Sequence, residues 1–297
     1  MEPLEEYLRQ QQEWVEAALD QLLPSLENYP PRLMDAMRYS MFAGGKRLRP
    51  ILLLAASETV GGEMTAVLPA ACAVEYVHTY SMIHDDLPAM DDDAYRRGHP
   101  TNHIVYGEAM AILVGDALLT HAFELLSSPV LSAHFSAAVL LQVSHRLARA
   151  AGSFGMIGGQ VVDIDAAGHA VGLDVLEYIH RHKTAALIEA TVTIGGLLGG
   201  GTPEQVQALQ TYGHHIGWAY QIADDLLDVE GDANLLGKDV GHDVQQEKIT
   251  YPALLGVEAS RQRATELVQL ALGALADFGP RAERLRQIAA YVVSRNL

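Results

Sequence analysis

The chain has 297 residues, 49% of them hydrophobic and 19% charged, a balance that excludes intrinsic disorder. Its 20 basic residues against 37 acidic ones leave a formal charge of −17, and a field of that sign opposes nucleic acid and anionic membrane surfaces. Cys72 is the only cysteine, which excludes an intrachain disulfide and a thiolate zinc cluster and makes a reducing cytoplasm the expected setting.

Helix signals dominate. Segments rich in Ala, Leu, Met, Gln and Glu, with apolar residues at helical spacing, predict helices over 3–22, 32–43, 50–60, 64–87, 107–127, 132–150, 172–198, 203–229, 250–275 and 280–296. The first opens on Met1-Glu2-Pro3-Leu4-Glu5-Glu6, with acid where a leader needs a basic and then apolar run, so no export signal is expected. No uninterrupted apolar run approaches roughly 18 residues, so no stable membrane insertion is expected either. Pro30-Pro31, Gly44-Gly45, Gly61-Gly62, Gly98-His99-Pro100 and Gly199-Gly200-Gly201-Thr202-Pro203 punctuate the helices. Thr202 to Gln205 has the spacing of a capping box. No break is long enough for an interdomain linker, which predicts a single all-α domain over 1–297. The segments near 64–87 and 203–229 are apolar around most of their circumference, as central members of a bundle are.

Two of these helices end in acid: Asp85-Asp86-Leu87-Pro88-Ala89-Met90-Asp91-Asp92-Asp93, and Asp224-Asp225-Leu226-Leu227-Asp228. Asp224 and Asp228 are four apart and share a helix face, a chelating arrangement. Asp85 and Asp91 are six apart, about 120° off a common face on a straight helix. Pro88 removes a backbone donor and crowds the carbonyl of residue 84, so the helix should kink or end there and Asp91 can return toward Asp85. Carboxylates without cysteine suit a hard cation such as Mg²⁺, which binds few protein ligands and completes its shell with water and substrate phosphate. Two separated clusters therefore point to an ion-bridged anion between them.

Positive charge is scarce, so its clustering is informative. Gly44-Gly45-Lys46-Arg47-Leu48-Arg49-Pro50 sets three cations before a helix whose expected first position is Pro50, a place for a diphosphate held without metal. Arg96-Arg97-Gly98 follows the first acidic segment, and Lys183-Thr184, Gln221, Lys238 and Lys248 are further candidates. His78 lies seven residues before Asp85, nearly on its face. His84 precedes Asp85, but no Ser or Cys nucleophile with ordered partners accompanies it, which argues against acyl transfer.

In order and spacing these blocks, with Gly115-Asp116-Ala117, Gly158-Gly159-Gln160 and Gly237-Lys238, resemble the trans-isoprenyl diphosphate synthases, and within them the bacterial farnesyl diphosphate synthases. The match runs from about residue 30 to the C-terminus. The resemblance implies an all-helical isoprenoid synthase bundle around a central cavity, a homodimer, and Mg²⁺-dependent head-to-tail condensation of isopentenyl diphosphate with dimethylallyl or geranyl diphosphate. By it, Asp85, Asp91 and Asp224 are ligands for several Mg²⁺ ions, supported by Asp86, Asp225 and Asp228. Arg96, Lys183, Gln221 and Lys238 contact the allylic substrate, and Lys46, Arg49, His78 and Arg97 hold isopentenyl diphosphate. Thr184 and the main-chain carbonyls of its helix can steady an allylic cation. No residue stands out as the base that takes the product's proton, which leaves the released diphosphate.

The two residues Pro88 and Ala89 inside the first motif, and Tyr80 five positions before it, resemble the farnesyl rather than the geranylgeranyl type. By spacing alone Tyr80 is about 140° from Asp85 whereas Ser81 shares its face, so only the resemblance makes Tyr80 the pocket floor. Ala94 departs from the pattern, standing where many relatives carry another acid. The same chemistry with a geranyl or geranylgeranyl product, and a noncatalytic prenyltransferase subunit, are the alternatives. The subunit should lack an acidic cluster or the Lys/Arg set, and this chain retains both. A terpene cyclase is disfavoured, because Asp224–Asp228 stands where a cyclase's second metal motif would.

Overall fold

The computed structural model describes residues 2–230 and 249–294. It divides into two compact units. The first comprises the chain up to Ile51 and Thr65–Leu141, the second Leu52–Met64 and the chain from Gln142.

The first unit holds α1 (Leu4–Leu22), α2 (Pro31–Met41), the start of α3 (Leu48–Val60), α4 (Met64–Asp85), α5 (Asn102–Tyr106), α6 (Glu108–Leu126), α7 (Pro129–Ser132) and the start of α8 (Ala137–Ala151). Helix α4 is its core: Ala70 to Val77 are buried without interruption, as are Val67, Thr79, Tyr80 and Ile83. A helix apolar on every side is stable only when neighbours cover all of it. Between α4 and α5 the predicted break at Gly98 is a two-stranded antiparallel ribbon, β1 (Tyr95–Arg96) and β2 (His99–Pro100), with Tyr95 opposite Pro100.

By length and composition the stretch Glu108–Ser132 is apolar enough to cross a membrane. A search for uninterrupted apolar runs misses it because Glu108, Asp116 and Glu124 punctuate it. Ala111, Val114, Leu118, Ala122 and Leu125 on α6 are buried within the unit, whereas Ile112 and Leu113 are exposed.

The second unit contains α9 (Met156–Ala166), α10 (Leu173–Ile179), a π-helical turn at His180–Ala185, α11 (Ala186–Leu198), α12 (Pro203–Glu230), α13 (Tyr251–Leu255), α14 (Val257–Ala274), a 3₁₀ turn at Pro280–Ala282 and α15 (Glu283–Ser294). Helix α12 packs against α11, α14, α15 and the π turn. Its N-terminus is the expected capping box: Gln205 N–H donates to Thr202 Oγ1 at 3.3 Å, and Thr202 N–H donates to Gln205 Oε1 at 2.9 Å.

Most predicted helices agree within a few residues. The expected 250–275 helix is two, broken at Gly256, which adopts φ +80°. Helix α3 begins at Leu48, not at Pro50. Any first-turn position lacks an intrahelical acceptor for its N–H, so proline is tolerated two residues further in.

Candidate active site

In the first unit, α4 stops at Asp85 and the chain folds back on itself. Asp91 N–H donates to the Asp85 carbonyl at 2.9 Å, and Met90 and Asp92 N–H both reach the Leu87 carbonyl, at 2.8 and 3.1 Å. The return anticipated from Pro88 is therefore made by the backbone, and the Asp85 and Asp91 side chains remain partly exposed. Both lie at a helix C-terminus, where the macrodipole is already negative and anions are disfavoured. Such a pair is stabilised by a cation.

Asp86 faces the other way. It is 4% exposed, and its Oδ1 accepts from Arg96 Nε at 2.7 Å with Nη2 at 2.5 Å; Asp93 lies 3.5 Å from the same guanidinium. Burial raises the Asp86 pKa, and the hydrogen bond and charge of Arg96 oppose it. Burial works against the Arg96 charge as well, yet Asp86 and Asp93 raise its pKa on balance. Asp86 and Arg96, expected as support and substrate contact, are each other's partners here.

The glycine-rich basic loop separates its three cations. Lys46 is exposed and Arg49 partly so, but Arg47 is 2% exposed and turns into the protein. Its Nη1 donates to Glu75 Oε1 at 3.0 Å and its Nη2 to the Met41 carbonyl at 2.6 Å. Arg97 donates to the Gly44 carbonyl, and Gln12 Nε2 donates to the Gly45 carbonyl at 3.0 Å. Gly45 adopts φ +129°, a backbone conformation that favours glycine, and a Cβ there would fall 2.7 Å from Arg97 Cζ and displace the end of that side chain. His78 sits one turn beyond Glu75 on α4. Burial first, then the positive field of Arg49, Arg97, Arg96 and Arg47, hold its pKa well below the ordinary value, so the imidazole is neutral near pH 7. Arg49, His78 and Arg97, three of the four residues predicted as one subsite, thus share one electropositive region, and Lys46 is exposed on the adjoining loop.

Tyr80 is 5% exposed, one turn before His84, and their rings meet edge to face at 5.7 Å. Burial and the Asp85 charge push its hydroxyl pKa up to about 12. Ser81 Oγ donates to the His78 carbonyl at 2.8 Å, bonding back along its own helix. His84 Nε2 lies 3.0 Å from the Ile112 carbonyl and is occupied there.

In the second unit Lys183 and Thr184 lie on the π turn, a rare widening that recurs at functional sites. Lys183 Nζ donates to Asp163 Oδ2 at 2.7 Å. Thr184 Oγ1 donates to Gln221 Oε1 at 2.8 Å, and Gln221 Nε2 donates to Asp225 Oδ1 at 3.1 Å. Asp224 is exposed and Asp228 partly so on the same face of α12, whereas Asp225 is 3% exposed and points inward. The last turn of α12 carries no basic residue to offset them. The Gly158-Gly159-Gln160 block has a packing reason: a Cβ on Gly159 would lie 2.7 Å from Lys183 Cα. Lys238 and Lys248 lie outside the described residues.

Sequence reasoning missed Glu75, Asp163, His180 and Tyr251 as partners of these groups. The one available signal was the acid at 163, one turn after Gly159 on the same helix.

Each acidic segment offers a pair of exposed or partly exposed carboxylates, a hard donor set that fits Mg²⁺. Among the described residues no cluster gathers three acidic, histidine or cysteine side chains, so such an ion would complete its shell with water and phosphate oxygens.

Residues 30–282 match the family profile described as polyprenyl synthetase. The chain is 44% identical over 293 residues to the farnesyl diphosphate synthase of Geobacillus stearothermophilus, covering 99% of this chain and 98% of that one. It is 46% identical over 293 residues to the chloroplastic heterodimeric geranylgeranyl pyrophosphate synthase large subunit 1 of Arabidopsis thaliana, covering 97% of this chain and 78% of that one. Among solved structures, the FPP/GFPP synthase of Zymomonas mobilis in its apo form superposes with a TM-score of 0.86 at 36% identity, over 98% of each chain.

Proposed function

The chain belongs to the polyprenyl synthetase family, and from that premise we propose that it condenses isopentenyl diphosphate head to tail with dimethylallyl and then geranyl diphosphate, releasing farnesyl diphosphate. The observation that carries the reading is the pair of acidic segments, each closing a long buried helix at its anion-disfavouring end. Asp85 and Asp91 on one, and Asp224 on the other, would each hold Mg²⁺ with diphosphate oxygens. When bound, the metal neutralises the departing diphosphate.

Lys183, and Arg96 beyond its Asp86 pair, add fixed positive charge beside that leaving group. Lys46, Arg49, Arg97 and neutral His78 bind the diphosphate of isopentenyl diphosphate, orienting its alkene toward the allylic carbon. Breaking the allylic C–O bond leaves an allylic cation, which the alkene attacks. Thr184, as an oxygen near that carbon, stabilises the positive charge. The proton lost in forming the new double bond goes to the released diphosphate. Water must stay out, because it would quench the cation.

Buried Tyr80 supports a C15 product by closing the hydrocarbon pocket. A second reading, the same chemistry carried to C20, draws support from relatives named as geranylgeranyl synthases. The exposed apolar side chains Ile104 and Val105 on α5, and Ile112 and Leu113 on α6, support pairing with a second copy.

The deciding experiment is incubation with labelled isopentenyl diphosphate and either dimethylallyl or geranyl diphosphate, with and without Mg²⁺, followed by product sizing. Mg²⁺-dependent C15 product is expected. A C20 product would select the second reading, and absence of condensation would overturn both.

A further inference from the structure

We propose that Asp225 is a positioning residue, not a cation ligand: it fixes the amide of Gln221, which in turn makes the Thr184 hydroxyl an acceptor toward the substrate. The inference rests on the condensation reading and deepens it.

Both oxygens of Asp225 are engaged by protein donors. Oδ1 accepts from Gln221 Nε2 at 3.1 Å, and Oδ2 accepts from the Tyr251 N–H at 3.0 Å. His180 Nε2 stands 3.4 Å from the same Oδ2. His180 Nδ1 is buried without a hydrogen-bond partner, so a proton there would be stranded, and the tautomer that carries it on Nε2, facing the carboxylate, is selected. The His180 ring also rests on that of Tyr251, with centroids 5.1 Å apart, and the Tyr251 hydroxyl joins Trp218 Nε1 at 3.2 Å and Glu177 Oε1 at 3.3 Å. Asp225 is therefore clamped between α12 and the first residue of α13. Asp224, its neighbour, is exposed.

The consequence runs through hydrogen-bond polarity. A carboxylate only accepts, so the Gln221 –NH₂ must face Asp225 and its Oε1 must face Thr184. The Thr184 hydroxyl then has one place for its proton, Gln221 Oε1 at 2.8 Å. What it presents elsewhere is lone pairs. With the amide flipped, Thr184 would have to accept from Gln221, and its O–H dipole would point its positive end outward. A developing allylic cation is stabilised by the first arrangement and repelled by the second.

Asp225→Asn keeps the volume but replaces one acceptor with a donor, so either Gln221 or the Tyr251 N–H faces a like group. The expected result is a tenfold or greater fall in turnover, with calorimetric binding of inorganic diphosphate and Mg²⁺ within twofold of wild type. Asp224→Asn should weaken that same binding at least tenfold. Thr184→Val should lose turnover by itself, and Asp225→Asn on top of it should cost less than a further twofold, because both variants cut one line. Should Asp225→Asn fail to fold, Gln221→Met breaks the same line and must show the same pattern. Diphosphate binding weakened as in Asp224→Asn, or losses that multiply in the double variant, would overturn the proposal. Wild-type protein that neither condenses the substrates nor binds Mg²⁺ with diphosphate would overturn the functional reading, and this inference with it.

Discussion

Arg47 and Glu75 form an ion pair 3.0 Å apart with side chains 1% and 3% exposed, joining the basic loop to the helix that carries His78. Glu16 lies 3.4 Å from the same guanidinium. A cation that sequence places among phosphate anchors is thus a strut, and Lys46 and Arg49 on either side of it take their positions from it. Replacing Glu75 with leucine leaves the buried guanidinium with the partly exposed Glu16 as its remaining acidic neighbour, a loss of up to about 3–5 kcal/mol. Urea unfolding should show that loss. Under conditions where Glu75→Gln is folded, the KM for isopentenyl diphosphate should rise more than that for the allylic substrate. Equal KM changes would mean that the pair serves stability alone.

His180 makes stability depend on pH. It is 4% exposed, and burial, with the Lys183 charge, lowers its pKa to about 3. The unfolded side chain titrates near 6.5, so as pH falls the unfolded state takes up the proton first. Stability present above about pH 6.5 is lost on the way down toward the folded pKa, by up to about 1.4 kcal/mol per pH unit for this one group. His180→Gln should reduce the slope of unfolding free energy between about pH 6 and 4 by one proton. Unfolding curves at stepped pH measure it, and an unchanged slope would remove the assignment.

Tyr80 is the test of product length. Its ring is buried against His84, and truncation to alanine opens space for at least one further five-carbon unit. Tyr80→Ala should shift the product from C15 to C20 or longer, read by chromatography of the dephosphorylated alcohols. An unchanged C15 product would place the floor elsewhere.

Gly159 allows α9 to approach the backbone of the π turn at Lys183. An alanine methyl has no flexible side chain to displace there, so Gly159→Ala should cost about 1–3 kcal/mol of stability as overpacking. It should also lower turnover, by shifting Lys183 and Thr184 together. Full activity at wild-type stability would show that the turn yields freely.

The all-helical fold was legible because its signals are local. Apolar residues at helical spacing, the capping box at Thr202–Gln205 and the stop imposed by Pro88 each act within a few residues along the chain. The two acidic segments were legible for the same reason: Asp224 and Asp228 share a face by helical geometry alone. The ribbon at Tyr95–Pro100 and the π turn were not, since two-residue strands and a single wide turn leave no periodic pattern.

Polarity of partnership was decided only in three dimensions. Nothing in Lys46-Arg47-Leu48-Arg49 says which cation turns inward, and nothing in Asp224-Asp225 says which carboxylate is spent on protein donors. Those choices depend on Glu75, 28 residues from Arg47, and on Tyr251, 26 residues from Asp225. A charge leaves water only where a distant partner meets it, and the position of that partner belongs to the packed chain, not to the local sequence.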